Sequence, residues 1–143
     1  CFENNPHGCG YTICRDGHNL VFKGFMKFSE LMDSFKEVKP KQSETVLIHF
    51  RVASIGSINK SNCHPFVVSN KYETMKKLEL STKLPVLVHN GTFKFFGESK
   101  KDYYRRVLYS KFDASNGKIS YCIEKCGAFS TACILFASDC ILF

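Results

Sequence analysis

The chain has 143 residues, 44% of them hydrophobic and 14% aromatic, and carries a net charge of +7 at pH 7. That length suits a single domain, residues 1–143, with a core of its own, and the composition excludes a disordered tail. No apolar run is long enough to cross a bilayer, and neither a leader nor a membrane anchor is expected in it, which points to a cytoplasmic protein.

The first third reads as strand, strand, helix. Tyr11–Arg15 and Asn19–Phe25 are β-like runs around Asp16-Gly17, a hairpin signature. Phe28, Leu31, Met32, Phe35 and Val38 recur at helical spacing, with Ser29 as the expected cap and Pro40 as the stop. Thr45–Ala53 is the strongest strand pattern and leads into a polar loop at 54–62. A short strand is predicted at Pro65–Ser69, a loop with a little helix over 70–83, and a buried strand at Leu84–Val88 before the turn His89-Asn90-Gly91. Ser99–Tyr109 reads as a helix, and Ile119–Ile123, Ala128–Ala137 and Cys140–Phe143 as closing strands. Many strands with few helices predict an α+β fold, two packed sheets covered by helices.

Eight cysteines stand at 1, 9, 14, 63, 122, 126, 133 and 140, several inside apolar runs where a reduced thiol packs as a small hydrophobe. Free thiols in a reducing compartment are expected. Cys122 and Cys126 lack a second ligand pair at metal spacing, so neither a metal nor another cofactor is expected. Basic residues recur at 36–41, 76–77, 100–101 and 105–106, scattered over many segments with no nucleic-acid motif beside them; a solvated basic face is the simpler account.

Five positions carry chemistry on their own terms. Cys1 puts a thiol and an α-amino group on one residue, and an α-amine titrates at about 7.7 to 8, low enough to take the thiol's proton. Arg51 closes a strongly apolar strand, where a guanidinium needs a carboxylate or a route to solvent; a structural ion pair would serve equally. Asn90-Gly91 offers an amide side chain and an unhindered backbone N–H, or simply a tight hairpin turn. His64, before Pro65, is either a pocket wall or a satisfied core histidine.

Three stretches combine with Cys1: Asn5-Pro6-His7-Gly8-Cys9-Gly10-Tyr11; His49-Phe50-Arg51-Val52-Ala53-Ser54-Ile55-Gly56 with Asn62-Cys63-His64-Pro65-Phe66; and Val88-His89-Asn90-Gly91-Thr92. In this order the set resembles the class II glutamine amidotransferases, a branch of the N-terminal nucleophile hydrolases, and the likeness runs over residues 1 to about 102. The resemblance implies a short αββα sandwich that hydrolyses the side-chain amide of L-glutamine and passes ammonia to a partner synthase. It implies Cys1 as nucleophile, Asn90 and Gly91 as the oxyanion hole, Arg51 as a fork on the α-carboxylate, and Ser54 and His64 beside the substrate. Asp102, with Glu98 as fallback, would accept from the substrate's α-amine. Ile55 stands where sugar-amidating members carry His, and Val52 replaces an aromatic seen in some members. Two other functions remain open: an N-terminal cysteine amidase acting on another amide, and a binding-only homologue that uses its basic surface.

Overall fold

The computed structural model describes residues 1–53, 57–69, 71–89 and 140–142. The expected helix at 99–109 and strands at 119–123 and 128–137 lie outside these residues.

The fold starts from a hairpin. Strands β1 (Cys9–Arg15) and β2 (His18–Phe25) pair antiparallel through the Asp16-Gly17 turn. Both turn residues have positive φ, 49° and 72°, so the turn twists as the flanking strands do. The register shifts between Cys9 and Gly10. Gly24, which drops out of the pairing there, has φ 89° and forms a bulge.

Helix α1 (Phe28–Val38) follows. Ser29 was the expected cap, but Lys27 is the capping residue; the carboxylate of Glu30 accepts from the amides of Met26 at 2.9 Å and Lys27 at 3.3 Å. A carboxylate satisfies these orphan donors and also faces the positive end of the helix dipole. The helix stops at Val38 because the residue before Pro40, Lys39, leaves the α region for φ 48°.

Strand β3 (Thr45–Phe50) pairs with β1, and β5 (Glu79–Thr82) pairs with β2, giving a four-stranded antiparallel sheet in the order β3-β1-β2-β5. Strand β5 falls in the stretch read as a loop; its alternating Glu-Leu-Ser-Thr pattern is too polar to declare itself in isolation. A short second sheet has the order β4-β6-β7, built from Phe66–Val67, Val86–His89 and Cys140–Leu142. A 3-10 turn at Lys60–Asn62 and a short helix α2 (Tyr72–Lys76) sit between β3 and β5 in the chain. The architecture is α+β, and among the described residues no helix is long and apolar enough to cross a membrane.

Strand parity gives the first sheet two different faces. Cys9, Tyr11 and Ile13 turn one way, packed with Leu31 of α1 and with Phe22, Phe25, Phe35 and Val46. Thr12, Gly10 and their cross-strand partners Val21, Lys23 and His49 turn the other way. On that side Val21 packs with Val67 and Val86 of the second sheet. Helix, first sheet and second sheet therefore stack in that order. Within the helix stripe only Leu31 is fully buried; Phe28 is 48% and Met32 37% exposed.

Two polar side chains bridge these layers. Tyr11 is wholly buried with its ring stacked on Phe22 at 5.0 Å, and its hydroxyl meets Ser34 Oγ of α1 at 2.8 Å. Tyr11→Phe is expected to cost about 1 kcal/mol, and adding Ser34→Ala to cost little more, since both remove one hydrogen bond. Urea unfolding of the two single variants and the double variant checks this; fully additive losses would contradict it. Lys23 is 4% exposed; its Nζ donates to the carbonyls of Ser61 at 3.0 Å and Met75 at 2.7 Å and lies 3.9 Å from the centre of the Phe66 ring.

Candidate functional site

Arg51 follows directly on β3, and it is only 5% exposed. Its backbone is gripped by the segment that leads into β1: Arg51 N–H donates to Gly8 O at 2.8 Å and His7 N–H to Arg51 O at 3.1 Å. These two bonds extend the β1–β3 ladder past the end of the strands. Gly8 is required at this rung. Its φ is 105°, and a Cβ there would stand 2.4 Å from Cys63 Sγ.

The guanidinium is held from the other side by the 57–62 loop. Nη1 donates to the Ser57 carbonyl at 3.3 Å, and Nδ2 of Asn62 donates to the same oxygen at 2.9 Å. Asn62 is itself buried, and Asn59 Oδ1 caps the turn by accepting from Asn62 N–H at 3.0 Å and Ser61 Oγ at 2.9 Å. Arg51 is thus locked between two loops that contribute backbone carbonyls, a setting that fixes the direction of a planar, permanently charged fork.

Cys63 lies within the field of this fork. Burial pushes its thiol up, while the charges of Arg51 and Lys23 and a hydrogen bond from the Gly24 amide pull the other way. Cys9 is pushed up to about 12 by burial, with Cys63 and Glu30 adding to it. Both therefore stay protonated at neutral pH and act as packing groups. Among the described residues Cys1, Cys9, Cys14 and Cys63 are free thiols.

Cys1 is exposed. Its carbonyl accepts from Asn5 Nδ2 at 2.9 Å, and Asn5 N–H closes a turn onto Phe2 O at 3.0 Å. Phe2 packs edge-on against Phe50 with ring centres 6.3 Å apart. Cys1 and Arg51 therefore each lie one residue from the same aromatic pair, at the same end of the first sheet.

His64 is drawn into the interior. Its Nδ1 lies 3.3 Å from His49 Nδ1, and its ring meets Phe66 edge-on at 4.9 Å across the cis His64–Pro65 bond. One of the two facing nitrogens must offer a lone pair, so the pair holds at least one neutral ring. This is the environment of a core histidine, and it binds β3 to the approach of β4. Ser54, Asn90, Gly91 and Asp102, with Ile55 and Glu98, lie outside the described residues. Of the expected site residues, then, Arg51 and Cys1 come to one end of the sheet, and His64 lies under it, between the layers.

Sequence reasoning passed over Asn62, which orders the loop around Arg51, and His7, whose Nδ1 accepts from Ala53 N–H at 2.9 Å. Their only sequence signal was membership in the motif stretches. No protein-family model matches the chain, and neither a curated protein nor a solved structure matches it significantly.

Proposed function

We propose that this chain carries a glutamine site of the class II amidotransferase kind, in which helix, sheet and sheet are the first three layers of an αββα sandwich. The observation that carries the reading is Arg51: a guanidinium 5% exposed, at a strand end, oriented by the carbonyl of Ser57 and by a backbone clamp from His7 and Gly8. An α-carboxylate is the ligand that such a fork recognises best. The motif order and the position of Cys1 beside the Phe2–Phe50 pair support it further.

In this reading Cys1 is the nucleophile. Its thiol, relieved of its proton by the α-amine where that amine is free, attacks the side-chain carbonyl carbon of glutamine. Asn90 and the Gly91 N–H hold the tetrahedral oxyanion, a contribution of roughly 2.7 to 4 kcal/mol for one such donor. The amine returns the proton to the leaving nitrogen, ammonia departs to an acceptor made by a partner synthase, and water cleaves the thioester to release glutamate. Ser54 and Asp102 bind the α-carboxylate and α-amine ends, and His64 supports the wall from within.

The exposure of Cys1 favours a second reading, a binding-only domain in which Arg51 holds an amino acid without turnover. The glutamine analogue 6-diazo-5-oxo-norleucine separates the two. Mass spectrometry of the treated chain is expected to find the label on Cys1; a label on Cys63, or none, removes the hydrolytic assignment. Arg51→Lys is expected to weaken glutamine use about 10- to 100-fold while sparing a neutral amide, since a point charge cannot replace the fork. Equal losses on both substrates would instead favour an amidase of different specificity.

A further inference from the structure

Beyond Phe50 the β1–β3 ladder continues by two backbone bonds, Arg51 N–H to Gly8 O and His7 N–H to Arg51 O. The next donor on the β3 side is Ala53 N–H. By this point the opposing chain has gone into the turn at residues 2–5, closed by Asn5 N–H on Phe2 O. Ala53 donates to a side chain, the Nδ1 of His7, at 2.9 Å. The imidazole thus stands where a ladder carbonyl would, and the three bonds together fix the backbone on both sides of Arg51.

We propose that His7 is a positioning residue for Arg51: its Nδ1 holds the Ala53 amide so that the guanidinium is presented in one direction at the end of β3. The consequence for glutamine rests on the amidotransferase reading above; the anchoring itself does not. The geometry makes a demand on the ring. An acceptor at Nδ1 requires the neutral tautomer with its proton on Nε2. A half-buried histidine before a left-handed glycine is otherwise unremarked by composition or periodicity, and a substitute must deliver a lone pair to the same place.

Two isosteres separate this role from mere bulk. Asn places its Oδ1 the same number of bonds from the backbone as the Nδ1 of His, whereas Gln places its oxygen one bond further, in the manner of Nε2. In the full chain, amide hydrogen exchange is expected to show Ala53 protected in the wild type and in His7→Asn, and exchanging at least 10-fold faster in His7→Gln and His7→Ala. Calorimetric titration with L-glutamine is expected to give His7→Asn an affinity within about twofold of wild type, and His7→Gln and His7→Ala a loss of roughly 10-fold, the equivalent of one hydrogen bond. If turnover is measurable, the loss appears in KM with kcat retained. Thermal unfolding midpoints of the Asn and Gln variants are expected to agree, which excludes global destabilisation as the cause. An Ala53 amide that exchanges freely in the wild type overturns the inference, as does a His7→Asn variant as impaired as His7→Ala, or Gln and Ala variants that bind as wild type does. If the wild type binds no glutamine, the amidotransferase reading falls, and the exchange pattern at Ala53 alone decides the part played by His7.

Discussion

Between pH 7 and pH 9 the protein is expected to gain stability as pH rises, and Lys23→Met is expected to remove that gain. Burial pushes the Lys23 ammonium down to about 7 from an ordinary value of 10.5, and Cys63 opposes the shift. Above pH 7 the unfolded chain therefore holds a proton on Lys23 that the folded chain has released. Stability rises with pH wherever the unfolded state binds more protons, here by roughly 1 kcal/mol per pH unit. The gain is bounded on the alkaline side by a group of opposite sign. The Cys9 thiol ionises near 9.0 when unfolded but is held up to about 12 in the fold, so above pH 9 the folded state keeps a proton that the unfolded state has lost. Cys63, whose thiol burial also pushes up, acts in the same direction, so above pH 9 the two thiols together outweigh Lys23. Urea midpoints at half-unit steps of pH should thus climb to about 9 and then turn down in the wild type; in Lys23→Met they should be flat and then fall more steeply. A wild-type midpoint that does not move between pH 7 and 9 would contradict a neutral lysine inside the fold. Removal of Lys23 also leaves the Ser61 and Met75 carbonyls without their donor, so the informative quantity is the slope and not the absolute stability of the variant.

Gly10→Val is expected to prevent folding at ordinary temperature. Gly10 lies on the face of the first sheet that meets the second layer, and a Cβ there would stand 2.4 Å from the His64 carbonyl oxygen, 2.6 Å from Lys23 Cβ and 2.7 Å from Lys23 Cα. Backbone atoms cannot step aside as a flexible side chain can. The methyl of alanine alone would force the His64 segment off the sheet, at a cost of about 1 to 3 kcal/mol or more, and valine adds two further carbons. The same movement would separate His49 from His64 and disturb Lys23, so several buried polar contacts fail together. Circular dichroism and urea unfolding of Gly10→Ala and Gly10→Val check the order: Ala weakened, Val unfolded. A Gly10→Val chain as stable as wild type would mean that the two layers do not approach each other at this point.

Much of the architecture was legible because it is set locally. Asp16-Gly17 between two alternating runs specifies a hairpin, since both residues tolerate the positive φ that the turn demands. The stripe from Phe28 to Val38 specifies a helix and Pro40 its end. The misplaced cap has an equally plain reason: the helix already begins at Phe28, which puts Ser29 inside the first turn, and the carboxylate of Glu30 reaches back to two amides at once. Strand β5 escaped detection because its neighbour β2, more than fifty positions earlier, supplies what its own composition lacks. Arg51 could be singled out from sequence because a charge ending an apolar strand requires an explanation. His7 could not, because its role is defined by Ala53, 46 positions away.

By itself, then, the sequence determined the two-residue turn, the first helix and the strongest strands. Those are properties of a few consecutive side chains and the backbone angles that they permit. Only the tertiary structure decided that β3 and β5 flank the opening hairpin, that His64 turns inward to meet His49, that Lys23 is enclosed between layers, and that an imidazole completes the ladder beside Arg51. Each of these depends on which distant segments come into register, a choice governed by the packing of whole faces and not by any residue's own preference.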